Sequence, residues 1–343
     1  MHVGIHVGHW EGTPRDLVPL AQAAERLGLD SVWTSETWGS DAIVLATWMA
    51  SHTTRIGIGV GVAQMAARTP ANAAMAALTL DHLSGGRLRF GLGASGPQVV
   101  EGWHGVVFDD PLGRTREYVD IVRAIWSRET PVTSDGPHYP LPVNGGTGLG
   151  RPLKTNVRPL RADIPLFIAA MGPRNVALTA EIAEGWLPLM YSPDHADAFA
   201  ESLRTGFDSR ERPTGLEIAP MVPVAVGDDL AASRDAVRPT IALYVGAYGS
   251  KDANFYNALV ARYGYETEAA HIQDLFLDGK RAEAIAAVTD AMVDELALVG
   301  PAGRVADRMH AYRNAGVATL LLQVGDFDAV ARVAIAADRG GFL

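Results

Sequence analysis

The sequence predicts an α/β protein, a (β/α)8 TIM barrel with long insertions at its C-terminal face. Three observations carry this. Eight short β-rich runs alternate with helical stretches along 343 residues. The runs are apolar on both faces, as parallel strands covered by helices must be. Eight β/α units in one chain fit a closed barrel better than an open doubly wound sheet. A single domain over residues 1–343 is expected, since no linker splits the chain and no repeat exceeds the β/α period.

The first strand is the apolar run 3–7, ending before Gly8. Leu17, Leu20, Ala24 and Leu27 then recur at helical spacing, and Gly28 stops that helix. Residues 31–34 read as the second strand and 42–50 as the second helix. The third unit is 56–60 with 70–83, and the fourth is 87–92 with 114–126. Strands at 165–169, 186–190, 217–226 and 318–324 complete the set. Helical stretches follow them at 175–183, 193–210, 229–245 and 326–337.

Two excursions break the rhythm. Residues 130–163 are rich in Gly and Pro, with Asn144-Gly145-Gly146-Thr147-Gly148 at the centre. Residues 246–290 carry Phe255, Tyr256, Tyr263 and Tyr265. Long excursions in compact domains are usually lids or binding loops, and in a barrel the loops after the strands build the site. Either excursion is therefore placed to cover the C-terminal mouth.

Composition excludes several classes. The 29 basic and 39 acidic residues leave a net charge of −10. A net anion is a poor partner for nucleic acid or an anionic membrane. The chain has no cysteine, so disulfides, thiolate metal sites and cysteine nucleophiles are ruled out. The start, Met1-His2-Val3-Gly4-Ile5-His6, lacks the pattern of a signal peptide, and no apolar run reaches the ~18 residues of a membrane span. A cytoplasmic protein with a small-molecule partner is expected.

Gly91-Leu92-Gly93-Ala94-Ser95-Gly96 matches a dinucleotide fingerprint and has Asp109 downstream. It falls in the fourth β/α unit, which suits a barrel better than a Rossmann fold. Its small residues would let a flat ring approach the backbone. In the glycine-spaced strand up to Gly61, glycine either relieves crowding inside the barrel or leaves bare backbone for a ligand; both readings stay open. Ala169-Ala170-Met171-Gly172-Pro173-Arg174-Asn175 opens a helix whose free N–H groups, with Arg174, suit a phosphate. His2 and His6 lie ~13 Å apart on a strand, too far for one ion, so no metal site is expected. His9 and Trp10 follow strand one, and Glu36, Thr37 and Trp38 follow strand two, where side chains meet a ligand. Arg151, Lys154, Arg158 and Arg161 cluster in the first excursion, either as a solvated loop or as a site for an acidic tail.

Across these motifs the chain resembles the bacterial-luciferase-like superfamily, in the actinobacterial type of its branch that uses the deazaflavin coenzyme F420. The matching stretches include Leu27-Gly28-Leu29-Asp30-Ser31-Val32-Trp33-Thr34-Ser35-Glu36 and residues 61–70. They also include Leu80-Asp81-His82-Leu83-Ser84-Gly85-Gly86-Arg87, Ser95-Gly96-Pro97-Gln98, Gly172-Pro173-Arg174-Asn175 and Asn254-Phe255-Tyr256. The resemblance implies a tricyclic ring over the C-terminal strand ends, against a non-prolyl cis peptide at Gly61–Val62. It implies that Ala63 and Gln64 meet the ring edge, that Ser95, Gly96 and Gln98 line the ribityl side, and that Ala170, Met171, Gly172 and Arg174 hold the phosphate. It implies a homodimer.

The resemblance also implies an oxidoreductase that passes hydride between the deazaflavin C5 and an organic substrate. Several members carry Asp-His after strand two where this chain has Glu36-Thr37. Glu36 and His9 are then the candidate proton carriers, with Trp38 packing on the substrate. Two alternatives remain: an FMN-dependent monooxygenase fed by a reductase, and a deazaflavin-binding protein without catalysis.

Overall fold

The computed structural model describes residues 1–8, 17–211, 215–249 and 254–343. One curled, all-parallel sheet contains β1 (His2–His6), β2 (Ser31–Thr34), β3 (Gly57–Gln64), β4 (Leu88–Gly93) and β5 (Leu166–Ala169). It continues with β6 (Gly185–Trp186), β7 (Glu217–Ile218), β8 (Met221–Val226), β9 (Leu298–Gly300) and β10 (Thr319–Gln323). The order is β7-β6-β5-β4-β3-β2-β1-β10-β8-β9.

The expected seventh strand is split at Ala219-Pro220, since proline has no N–H to give a ladder. β7 pairs with β6, and β8 pairs with β10. Leu321 N–H also reaches the Pro220 carbonyl at 3.0 Å. Both flanks of the curled sheet thus meet along residues 217–226.

Other expectations need correction. The expected strand 186–190 is only the two residues of β6, and Met190 leaves extended geometry at φ 53°. The second excursion is not a loop. It contains helices Phe255–Val260, Glu266–Leu277, Arg281–Ala286 and Asp290–Leu296, with a wider turn at Ala261–Tyr265. β9 and helix Ala302–Asn314 follow in a stretch where no element was expected. Helix Pro97–Gly102 was also missed.

Large inward side chains fill the sheet's interior. Trp33, Phe167, Leu187, Ala219, Met221 and Leu321 pack as one cluster, and Trp33 meets Phe167 edge-on at 5.2 Å. Glycine makes room for them. A Cβ at Gly59 would lie 1.9 Å from the Trp33 ring, and one at Gly185 would lie 2.0 Å from Phe167. Gly91 abuts the Val60 carbonyl and Gly93 abuts Val62. In the third strand the crowding-relief reading therefore holds at Gly59.

The first excursion is fastened outside the sheet. Glu117, on helix Pro111–Ser127, accepts from the N–H groups of His138 and Tyr139, each at 3.0 Å. Arg161 bridges Asp81 at 2.8 Å and the Leu88 carbonyl at 2.6 Å, at the start of β4. These fastenings lie on outer helices and the N-terminal end of β4, not across the mouth. No helix among the described residues is long and apolar enough to cross a membrane.

Candidate active site

Strand alternation decides which residues face the mouth. A Cβ on Gly4 would meet Leu321, so Gly4 faces the interior, and His6, two residues on, faces the same way at the C-terminal end of β1. His6 is buried. By the same step, inward Leu321 places Gln323 at the end of β10. Val62, Ala169 and Leu189 are partly buried against the interior cluster and form an apolar floor.

Beside this floor the Gly61–Val62 peptide is cis, and the β3–β4 register slips between Val60 and Ala63. Glu36 ties this bulge to the loop after β2. Its carboxylate accepts the Gln64 N–H at 2.6 Å and the Ala42 N–H at 3.1 Å. The Arg68 guanidinium binds both of its oxygens, at 2.5 and 3.1 Å, and reaches Asp41 at 2.7 Å. Burial works against the Arg68 charge, but hydrogen bonding to Glu36 and the charges of Glu36 and Asp41 prevail and raise its pKa. Gln64 is almost fully buried, and its amide donates to the Thr37 carbonyl at 2.7 Å.

The next two loops are shaped differently. At the end of β4, Ser95 adopts a left-handed φ of 61°, a conformation few non-glycine residues hold without support. Ser95 and Gln98 are exposed there, and Gly96 is half-buried. After β5, the Ala170 carbonyl accepts from the Trp186 indole at 2.8 Å, and the Met171 sulfur from the Leu189 N–H at 3.3 Å. Gly172 begins helix Pro173–Ile182, whose first turn has neither a side-chain cap nor an acidic residue. Arg174 on that turn is exposed.

The second excursion reaches the mouth. Tyr248 stacks on Trp38 at 6.4 Å, and Tyr244 and Tyr256 pack around Tyr248. Phe255 lies 3.3 Å from a Cβ built on Gly172. Cavities of about 580 and 770 Å3 open elsewhere, and ion pairs such as Arg238–Asp290 and Arg308–Asp194 line them.

Among the described residues, three buried polar atoms around the mouth have no hydrogen-bond partner: Gln64 Oε1, Thr37 Oγ1 and Asn175 Oδ1. Buried acceptors are normally paired, so each suits a ligand group or a bridging water. With a dipole-favoured helix start at 172–175 and an apolar floor, these residues fit a flat polar ring carrying an anionic tail.

Of the residues expected from sequence, Glu36, Gly61, Val62, Ala63 and Gln64 form one connected wall, and Trp38 stands beside it. Ala170, Met171, Gly172 and Arg174 form a second cluster, and Ser95, Gly96 and Gln98 lie in the loop and short helix that follow β4, the strand between. His9 and Trp10 lie outside the described residues. His2, at the opposite, N-terminal end of β1, is exposed and pairs with Asp30 at 3.5 Å. Sequence reasoning missed His6 as a mouth-facing residue, and Gln323, Arg68 and Tyr248. The alternation of Gly4 with His6 carried the signal for His6.

A sequence profile of the luciferase-like monooxygenase family matches residues 1–319. A Mycobacterium tuberculosis protein, assigned by name to the coenzyme F420-dependent oxidoreductases, is 46% identical over 96% of this chain and 97% of its own. A 5,10-methylenetetrahydromethanopterin reductase of Archaeoglobus fulgidus is 27% identical over 86% of this chain and 85% of its own. The solved F420-dependent tetrahydromethanopterin reductase of Methanopyrus kandleri superposes with a TM-score of 0.82 over 97% of both chains, at 21% identity, which speaks for the fold alone. With the strand-end walls and this match over most of its length, the chain belongs to the luciferase-like monooxygenase family and is an F420- or flavin-dependent oxidoreductase or monooxygenase.

Proposed function

We propose that the chain is an F420-dependent oxidoreductase acting on a small organic substrate at the C-terminal mouth of a (β/α)8 barrel closed through residues 217–226. The observation that carries the reading is the buried, unpartnered Gln64 acceptor beside the 61–64 bulge, with an uncapped helix start at 172–175 two strands away. When bound, the deazaflavin supplies a hydride carrier at its C5 atom.

The chain's residues orient and enclose. Gly61, Val62 and Ala63 back the ring, and Gln64 accepts from its polar edge. Ser95, Gly96 and Gln98 flank the ribityl chain. The free N–H groups at 172–175 hold the phosphate, with Ala170 and Met171 beneath and Arg174 beside it. Trp38 packs on the substrate. Glu36 has both oxygens engaged by Arg68, which favours holding the bulge over carrying a proton. His9, with mouth-facing His6, then handles the proton, or solvent does. Helices Ala42–Ala50 and Pro70–Ser84 expose Val44, Trp48, Met75 and Leu83, an apolar face that supports a homodimer.

The monooxygenase description of the family favours a second reading, in which FMN occupies the same cradle. Titrating the apoprotein with each cofactor, read by cofactor fluorescence, separates the two. F420 is expected to bind at least about tenfold more tightly than FMN. Tight FMN binding without F420 binding overturns the first reading.

A further inference from the structure

We infer that the site takes a neutral, flat, apolar substrate, which it grips between aromatic faces supplied by the loop after β2 and by the second excursion. This rests on the proposed cofactor-dependent function and names the substrate class of that same site.

The aromatic contacts run continuously around the mouth. Trp38 follows β2 and stacks on Tyr248 with the rings inclined at 28°. Tyr248 stacks on Tyr244 at 4.8 Å and meets Tyr256 edge-on at 5.9 Å. Phe255, next in the chain to Tyr256, rests on Gly172 after β5. Residues from the second excursion therefore span from the β2 side of the mouth to the β5 side. Trp38 and Phe255, the outermost of these residues, are 56% and 60% exposed. Exposed aromatic area has a solvation cost, and two such faces at one opening mark a contact surface. Tyr244 and Tyr256 are partly buried, and desolvation raises the pKa of each phenol, which keeps both neutral.

Charge points the same way. The described segments 35–40, 62–67, 94–103, 170–173, 187–192 and 254–256 hold no lysine or arginine. Arg68, just beyond, is engaged by Glu36 and Asp41. Arg174 sits at the helix start reserved for the cofactor's phosphate. The floor itself is Val62, Ala169 and Leu189. Among these described segments a phosphorylated or carboxylated substrate would meet no free cation, whereas a planar conjugated one would replace water on the aromatic faces and the floor.

The test uses the cofactor-loaded protein, with menadione as a neutral planar probe and glucose 6-phosphate as an anionic sugar, both followed by tryptophan fluorescence and calorimetry. Menadione is expected to bind at least about tenfold more tightly than the sugar phosphate. Trp38→Ala and Phe255→Ala should each weaken menadione about fivefold while changing cofactor affinity by less than about threefold. Trp38→Phe should recover most of the loss. Equal or tighter binding of glucose 6-phosphate, with cofactor binding intact, overturns the substrate class and leaves the function standing. So do Ala variants that bind menadione as the parent does. Failure of the parent protein to bind F420 overturns the functional reading and this inference together.

Discussion

The two ends of the sheet are built on opposite principles. At the N-terminal end polar side chains tie several backbone groups at once. Arg87 alone donates to Ser84 O, Ala50 O, Thr53 O, Ile56 O and the Thr53 hydroxyl. Glu25 accepts three successive N–H groups, from Thr54, Arg55 and Ile56, at 2.7–2.9 Å. At the C-terminal end Gln64, Thr37 and Asn175 keep buried atoms without partners, Ser95 and Met190 hold left-handed backbone, and aromatic faces meet solvent. The first end spends its groups on stability, and the second keeps them available for a ligand.

The largest effect that separates the ends should come from Arg87→Ala. Stripping a donor from four carbonyls is expected to cost about 3–5 kcal/mol in chemical denaturation while leaving F420 affinity within about twofold. A large affinity change there would break the contrast. Glu36→Gln should do the reverse. Arg68 keeps Asp41, so stability falls by only about 2 kcal/mol, but the Gln64 bulge loosens and F420 affinity drops about tenfold in a fluorescence titration. Unaltered affinity would make the Glu36–Arg68 pair a scaffold only.

The smallest effect is pH-dependent and confined to the stable end. Burial opposes ionisation of Glu25, but its three backbone donors outweigh this and lower its pKa from 4.5 to about 2. A carboxylate depressed in the folded state stabilises above its unfolded pKa and loses that contribution as pH falls through the folded one. The stability gap between the parent and Glu25→Gln should therefore be full above pH 4.5 and shrink as the pH drops toward about 2. A gap that stays constant across that window would mean the N–H clamp does not depend on charge.

Much of this division was legible, though unevenly. Leu80-Asp81-His82-Leu83-Ser84-Gly85-Gly86-Arg87 is the most recognisable stretch, and it serves the stable end. Gly85 and Gly86 take left-handed φ values of 67° and 82° to close the helix, Asp81 anchors Arg161, and Arg87 ties the carbonyls. The aromatic residues of the second excursion stood out, but their helices did not. Leu259, Val260, Tyr263, Ala269 and Ile272 are buried at helical spacing, but the wider turn at Ala261–Tyr265 interrupts the period. Glu36 reads from the sequence as a candidate proton carrier because the partner that engages it, Arg68, is 32 residues away.

By itself the sequence determined the β/α period, the helix caps and stops, and the small residues that let large ones fill the interior. These are written at spacings of two to four residues, where steric and solvation preferences act locally. Only the tertiary structure decided that residues 217–226 join the two flanks, that His6 looks into the mouth, and which buried polar groups end up paired. Those outcomes depend on groups brought together from distant parts of the chain, and a local pattern carries no record of its eventual neighbours.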